Sequence, residues 1–167
     1  MKSLTKQAKQ IVRDARRRGV TIAVAESITG GKIASTLVGI PGASAVLRLG
    51  IVAYATEMKR RVLGVDGRLL DKHGAVHPKV AKQMALGVRK LGAIGKDAVT
   101  IGIATTGVAG PDPQDGAEVG LTFIAVSVGD ETEVHEYRFE GGRNEIRYEA
   151  TQVALALVEE VLRQFKA

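Results

Sequence analysis

Hydrophobic positions along the chain follow two periods, and the switches between them outline a fold. Leu4, Ala8, Ile11, Val12 and Ala15 recur at helical spacing up to Gly19, which predicts an amphipathic first helix with a glycine stop. Val20–Ala25 is then continuously apolar, the pattern of a strand covered on both faces. Ile33, Ala34, Leu37 and Val38 return to the helical period until Ile40-Pro41-Gly42 breaks it. A second strand is expected at Leu49–Tyr54, a short helix near Glu57–Leu63, a turn at Asp66-Gly67, and another short helix at Leu69-Leu70 ended by Gly74. Pro78 is suited to open the next helix, with Val80, Ala81, Met84, Val88 and Leu91 on its apolar face. A third apolar strand at Ala98–Ala104 leads into a long irregular stretch, Thr105 to Gly116. Loops of that length in a compact domain are usually functional. Val119–Val128 and Thr132–Glu140 predict a hairpin about Gly129-Asp130, and Ile146, Ala150, Val153, Ala154, Leu157, Val161, Leu162 and Phe165 mark a long last helix.

Helices alternating with buried strands, followed by a hairpin, predict an α/β fold. The expected form is a three-layer α/β/α domain with a mixed, mostly parallel sheet of about five strands. The length, 167 residues, fits one domain spanning 1–167. Ligands in such sheets bind beyond the strand C-termini. The segments after Ala25, Tyr54 and Ala104 all occupy that kind of position.

Composition narrows the function classes. An apolar fraction of 45% with 25% charged residues is ordinary for a globular chain and gives no indication of disorder. No apolar run reaches the ~18 residues of a membrane span, and the charged N-terminal pattern lacks the apolar core of a secretion signal. A cytoplasmic location is therefore expected. The absence of cysteine removes disulfides, thiol catalysis and thiolate metal sites. A net charge of +6 arises partly from two clusters, Arg13-Arg16-Arg17-Arg18 and Lys59-Arg60-Arg61. With no tryptophan and three each of Phe and Tyr, stacking residues are too few to favour a nucleic-acid partner. Attraction of a small phosphorylated substrate explains the charge as well.

Ala25-Glu26-Ser27-Ile28-Thr29-Gly30-Gly31 joins the first strand to a helix N-terminus, where unpaired N–H groups favour an anion or a developing oxyanion. Ser27 reads either as a helix cap or as a nucleophile. A phosphate-binding P-loop is excluded, because Glu26 stands where it needs glycine and Ile33 where it needs Ser or Thr. If Thr56 caps the short helix, Lys59 faces the positive end of its dipole. A lysine there, if desolvated, has the depressed pKa of a general base; the alternative is the first of three surface cations. Tyr54 could bond or relay a proton to the same group. Thr106-Gly107-Val108-Ala109-Gly110-Pro111 allows close backbone approach to a ligand. Gly141-Gly142-Arg143-Asn144 offers a phosphate site, with Arg147 one turn on or else paired with glutamates on a solvated face. His73 and His77 lack a third ligand, so no metal site is expected. The role of Glu26 stays open.

These segments together resemble the CinA C-terminal domain family, whose characterised members are nicotinamide-nucleotide amidases. The resemblance runs from Leu4 to Phe165 through Ala25–Gly31, Gly50–Tyr54 with Lys59, Leu63-Gly64-Val65, His73–Val76, Thr106–Pro111, Val119-Gly120 and Gly142-Arg143. It implies a stand-alone form of that domain, with Ser27 as nucleophile, Lys59 as its base and Tyr54 assisting. Thr29, Gly30 and Gly31 would supply the oxyanion hole, Thr106, Gly107, Ala109 and Gly110 would line the substrate site, and Arg143 would hold a phosphate. The implied reaction converts nicotinamide mononucleotide to nicotinate mononucleotide and ammonia, without metal or organic cofactor. A homo-oligomer such as a dimer is expected, since small α/β domains with an apolar final helix often self-associate. A different class, a non-catalytic nucleotide-binding or competence-related interaction module, is the alternative. Departures from the family pattern are Ile28 for a usual Cys, a packing change, and Ala55-Thr56 for a common Ser-Asn. Ala117-Glu118 replaces a frequent Lys-Pro, and His77 a frequent Ser. The Ala55-Thr56 change is expected to remove a polar contact to substrate or base.

Overall fold

The computed structural model describes residues 3–165; the expected domain span of 1–167 extends past them at both ends. In chain order the elements are α1 (Leu4–Arg18), β1 (Ile22–Glu26), α2 (Lys32–Val38), β2 (Leu47–Val52), α3 (Thr56–Leu63), α4 (Gly67–His73) and α5 (Pro78–Leu91), then β3 (Ile101–Gly107), β4 (Leu121–Val128), β5 (Glu131–Arg138) and α6 (Arg143–Gln164). The strands form one sheet in the order β2-β1-β3-β4-β5. β1 lies parallel to both β2 and β3, while β4 runs antiparallel to β3 and β5 antiparallel to β4. Only β4 therefore opposes the common strand direction, so the sheet is mixed and mostly parallel.

Strand alternation sends β-branched residues to one face and small ones to the other. Ile22, Val24, Ile101, Ile103, Ile124 and Val126 pack with α1, α2 and α6. Ala23, Ala25, Ala104 and Ala125 face α5, with α3 and α4 beyond it. The result is the three-layer α/β/α arrangement expected from the sequence. The small-residue face lets α5 lie close to the sheet. A Cβ at Gly102 would sit 2.4 Å from the Ala85 carbonyl, and one at Gly87 would sit 2.0 Å from the Leu63 carbonyl at the end of α3.

Element boundaries differ from the expected ones where hydroxyls decide them. Thr21 and Thr100 exchange N–H to Oγ1 bonds of 3.2 and 3.1 Å, so β1 and β3 enter the ladder together, at the pair Ile22–Ile101. β1 thus starts later than Val20, and β3 spans Ile101–Gly107 rather than Ala98–Ala104. Thr105 and Thr106 belong to the strand despite their polarity, because both are buried and bonded: Thr105 Oγ1 to Thr29 Oγ1 at 2.8 Å, and Thr106 Oγ1 to the Ala75 carbonyl at 2.7 Å. The irregular segment therefore begins at Val108, not Thr105. β2 ends at Val52, two residues short of Tyr54, and Ala53 N–H then donates to the Glu26 carbonyl at 2.9 Å. Asp66 is not part of a free turn; its carboxylate caps α4 by accepting from Arg68 N–H at 2.9 Å. The hairpin strands are shorter than expected at their outer ends, Leu121 and Arg138.

Candidate active site

β1, β2 and β3 end side by side, and the residues following them meet. Ser27 comes directly after β1, with its N–H donating to the Thr105 carbonyl at 3.0 Å. The turn behind it is clamped from two sides. Glu26, wholly buried, turns its carboxylate forward and accepts from Gly31 N–H (2.9 Å), Ile33 N–H (3.1 Å) and Ala34 N–H (2.8 Å). It therefore does the capping work at the start of α2, where no side chain of the adjacent N-cap position contributes. Ser27 is relieved of that role, which decides against the helix-cap reading. On the carbonyl side, Arg147 of α6 donates through Nε to Ile28 O and through Nη2 to Thr29 O, both at 3.2 Å. Arg147 is thus a brace for this turn. It is neither a phosphate ligand beside Arg143 nor a partner of surface glutamates.

Lys59 is also wholly buried, and its Nζ lies 3.0 Å from Ser27 Oγ, 2.8 Å from the Ala53 carbonyl and 3.1 Å from the Tyr54 carbonyl. The surface-cation reading is overturned. Burial pushes its pKa down from 10.5 to about 8. In the neutral amine, two hydrogens go to the two carbonyls and the lone pair is left facing the Ser27 hydroxyl. Ala55, rather than Thr56, is the N-cap of α3, so Lys59 sits one position deeper than expected. Its bonds are to Ser27 and two backbone carbonyls, and neither the Ala55 nor the Thr56 side chain contributes one.

Tyr54 contributes its carbonyl, not its phenol, to Lys59. The phenol oxygen is exposed and accepts from Arg143 Nη2 at 2.9 Å. The expectation of a tyrosine relay is thereby corrected: the ring points across the cleft mouth. Gly30 and Gly31 are corrected as oxyanion donors, since Gly30 N–H donates to the Ser27 carbonyl at 3.1 Å and Gly31 N–H to Glu26. The amides of Ile28 and Thr29, by contrast, have no acceptor among the described residues. Ile28 itself packs with Ala109 and Ile146, consistent with a packing change.

A cavity of about 120 Å³ opens over Ser27, bounded by Ile28, Tyr54, Ala75, Val76, Thr106–Gly110, Asp112, Gln114 and Arg143. A single water needs only ~10–15 Å³, so the cavity has room for a small chemical group beside Ser27. It brings together Ser27, Tyr54, Thr106, Gly107, Ala109, Gly110 and Arg143 of the expected residues. Lys59 lies behind Ser27, and Thr29, Gly30 and Gly31 are outside the lining. Arg143 spans the mouth, with Nη1 donating to the Gly110 carbonyl at 2.6 Å as well as Nη2 to Tyr54. The start of α6 is closed as an anion site of its own, because Glu145 accepts from Gly142 N–H at 2.6 Å and places a carboxylate there. The Arg143 side chain remains as the cation. His73 and His77 stack with ring centroids 4.4 Å apart, and His77 Nδ1 caps α5 by accepting from Lys79 N–H at 3.2 Å, a role a serine would also fill. Among the described residues no group of three metal-binding side chains is present and no helix is long and apolar enough to cross a membrane.

Ala75-Val76, Asp112 and Gln114 join the site although sequence names none of them individually: Ala75-Val76 lies in a resembling motif, and Asp112 and Gln114 lie in the long segment expected to be functional. Glu26, whose role the sequence leaves open, is the clamp of the turn.

A model of the CinA C-terminal domain matches residues 4–162 of this chain. A CinA-like protein of Frankia casuarinae is 50% identical over 147 residues, covering 87% of this chain and 33% of that protein. The chain thus spans about a third of the length of that curated relative. Among solved structures, the competence damage-inducible protein A of Klebsiella pneumoniae superposes with a TM-score of 0.91 at 30% identity, covering 99% of this chain and 100% of that one. The competence/damage inducible protein CihA of Agrobacterium tumefaciens gives 0.88 at 34% identity, with 98% of each chain covered.

Proposed function

The chain belongs to the CinA C-terminal domain family, and from that membership together with the Ser27–Lys59 pair we propose that it is a serine amidohydrolase. Its proposed substrate is nicotinamide mononucleotide, converted to nicotinate mononucleotide and ammonia. The observation that carries this reading is the buried Lys59 Nζ at 3.0 Å from Ser27 Oγ, with its other two bonds made to fixed carbonyls. A lysine so held is oriented as an acceptor for one hydroxyl proton and little else.

Amide resonance makes the carboxamide carbon a poor electrophile, so both an activated hydroxyl and a stabilised oxyanion are needed. Neutral Lys59 takes the Ser27 proton as Oγ attacks the carboxamide carbon. The free amide of Ile28, the lining residue that follows Ser27, receives the oxyanion; the residue after a nucleophile is a usual donor in hydrolases with a strand-to-helix turn. Lys59, now protonated, gives its proton to the departing nitrogen, and ammonia leaves. A water then loses a proton to Lys59 and attacks the acyl ester, and the proton returns to Ser27 Oγ as nicotinate mononucleotide is released. Arg143 meets the phosphate at the cleft mouth, exchanging its bond to the exposed Tyr54 phenol.

Incubating the purified protein with nicotinamide mononucleotide, and reading product by mass spectrometry and ammonia by a coupled assay, tests this directly. Ser27→Ala and Lys59→Met should each lower kcat by on the order of 10³-fold or more. Undiminished turnover in Ser27→Ala would remove the nucleophile assignment. Nucleotide binding without any turnover by the wild type would favour a non-catalytic module.

A further inference from the structure

The lining of the cleft contains polar side chains that the catalytic chemistry leaves idle. Thr106 is spent on the Ala75 carbonyl, and Tyr54 and Arg143 hold one another. Asp112 is the one carboxylate in the lining, and among the described residues it has neither a hydrogen bond nor an ion pair. Its neighbour Asp115, in contrast, is used structurally, accepting from Ala75 N–H at 3.4 Å. Asp112 is exposed while Ser27 is 8% exposed, so the carboxylate stands at the rim and the nucleophile at the floor. It follows Gly110 by two residues, and the Gly110 carbonyl anchors Arg143. The rim therefore carries a cation from the start of α6, anchored on the Gly110 carbonyl, and a free acceptor-only anion two residues further along that same segment.

We propose that Asp112 is a specificity-determining residue that reads the vicinal hydroxyls of the substrate's ribose. This rests on the proposed function and extends it from the reacting amide to the sugar. The order of groups in the substrate fixes the assignment. With the carboxamide at Ser27, the ring lies between the apolar walls of Ile28, Val76 and Val108, and the sugar emerges at the rim. A carboxylate offers two oxygens and no donor, which matches two adjacent hydroxyls; the same pairing of an acidic residue with ribose recurs in dinucleotide sites. It also repels a phosphate, leaving Arg143, the cation among the lining residues, to receive that group and setting the direction of the nucleotide in the cleft. A sugar carrying a 2′-phosphate would be rejected for the same reason.

Binding to the inactive Ser27→Ala protein tests this without depending on turnover. Calorimetric Kd values are measured for nicotinamide mononucleotide, for its 2′,3′-dideoxy analogue and for the 1-methylnicotinamide cation, with and without Asp112→Ala. Hydrogen bonds to a charged group are each worth enough for roughly tenfold in affinity. The expected result is a loss of about tenfold or more for the mononucleotide on Asp112→Ala, with the dideoxy analogue and the methylated cation changing less than about twofold. An equal loss for all three would mean that Asp112 acts on the ring charge, and no loss for any would mean that it touches no ligand; either overturns the proposal. The proposed function fails separately, by absence of turnover in the wild type.

Discussion

Lys59 is buried against three uncharged oxygens, so its ammonium form pays a desolvation cost in the folded chain that it does not pay when unfolded. The sign of the resulting pH dependence follows from the lowered pKa. Between about 8 and 10.5 the unfolded chain holds a proton that the folded chain has released, so stability rises with pH across that window. Below pH 8 the cost is fully present. At 1.36 kcal/mol per pKa unit the gain is at most about 3 kcal/mol. Urea titrations at about pH 7 and about pH 10.5 should therefore show wild type gaining on Lys59→Met by up to about 3 kcal/mol. On the proposed mechanism the same proton governs activity: kcat/KM should rise about tenfold per pH unit up to about pH 8 and then level, since the free protein would need the neutral amine. A gap that stays constant with pH, or a rate that falls through pH 8, contradicts a depressed Lys59.

At the scale of elements, the position of Lys59 depends on how closely α5 approaches α3. Gly87 in α5 meets the Leu63 carbonyl, where a Cβ would be 2.0 Å away, and Lys59 lies one turn back along α3. Gly87→Ala has to push the two helices apart. Overpacking of this kind costs about 1–3 kcal/mol, and shifting α3 moves Nζ off the Ser27 hydroxyl. The expected outcome is a lowered Tm together with a kcat loss larger than the KM change, measured on the residual folded protein at a temperature well below its Tm. How much of this was legible in the sequence depends on the range of the interaction. Helix faces and the apolar strands were, because their periods are local. Ser27 and Lys59 could be named as a pair only through the resemblance; their residue types alone left a cap and a surface cation open. Tyr54 was misread because a sequence displays its phenol and not its carbonyl. Glu26 was left undecided because a carboxylate reaching amides five to eight residues ahead obeys no local capping rule. Gly30 and Gly31 looked like free donors until Glu26 and the Ser27 carbonyl claimed their N–H groups.

For the whole molecule, net charge of +6 and a pI near 9.7 set a field that acts before any contact forms. The cleft opens at the common C-terminal edge of β1, β2 and β3 with Arg143 across its mouth, and a net-anionic nucleotide approaching it is drawn in while a net-cationic nucleoside is repelled. Fields of this kind extend over about 30 Å at 10 mM salt and about 8 Å at 150 mM. Raising the ionic strength between those values should lower kcat/KM for nicotinamide mononucleotide by several-fold, leaving kcat almost unchanged. For nicotinamide riboside, which keeps the ring cation and lacks the phosphate, kcat/KM should stay level or rise. The contrast separates the field of the molecule from the local contact at Arg143. Arg143→Gln removes one charge close to the phosphate and should raise KM at every salt concentration, whereas the salt slope, set by the whole surface, should fall only in part. Equal slopes for both substrates would mean that the basic surface serves something other than substrate capture.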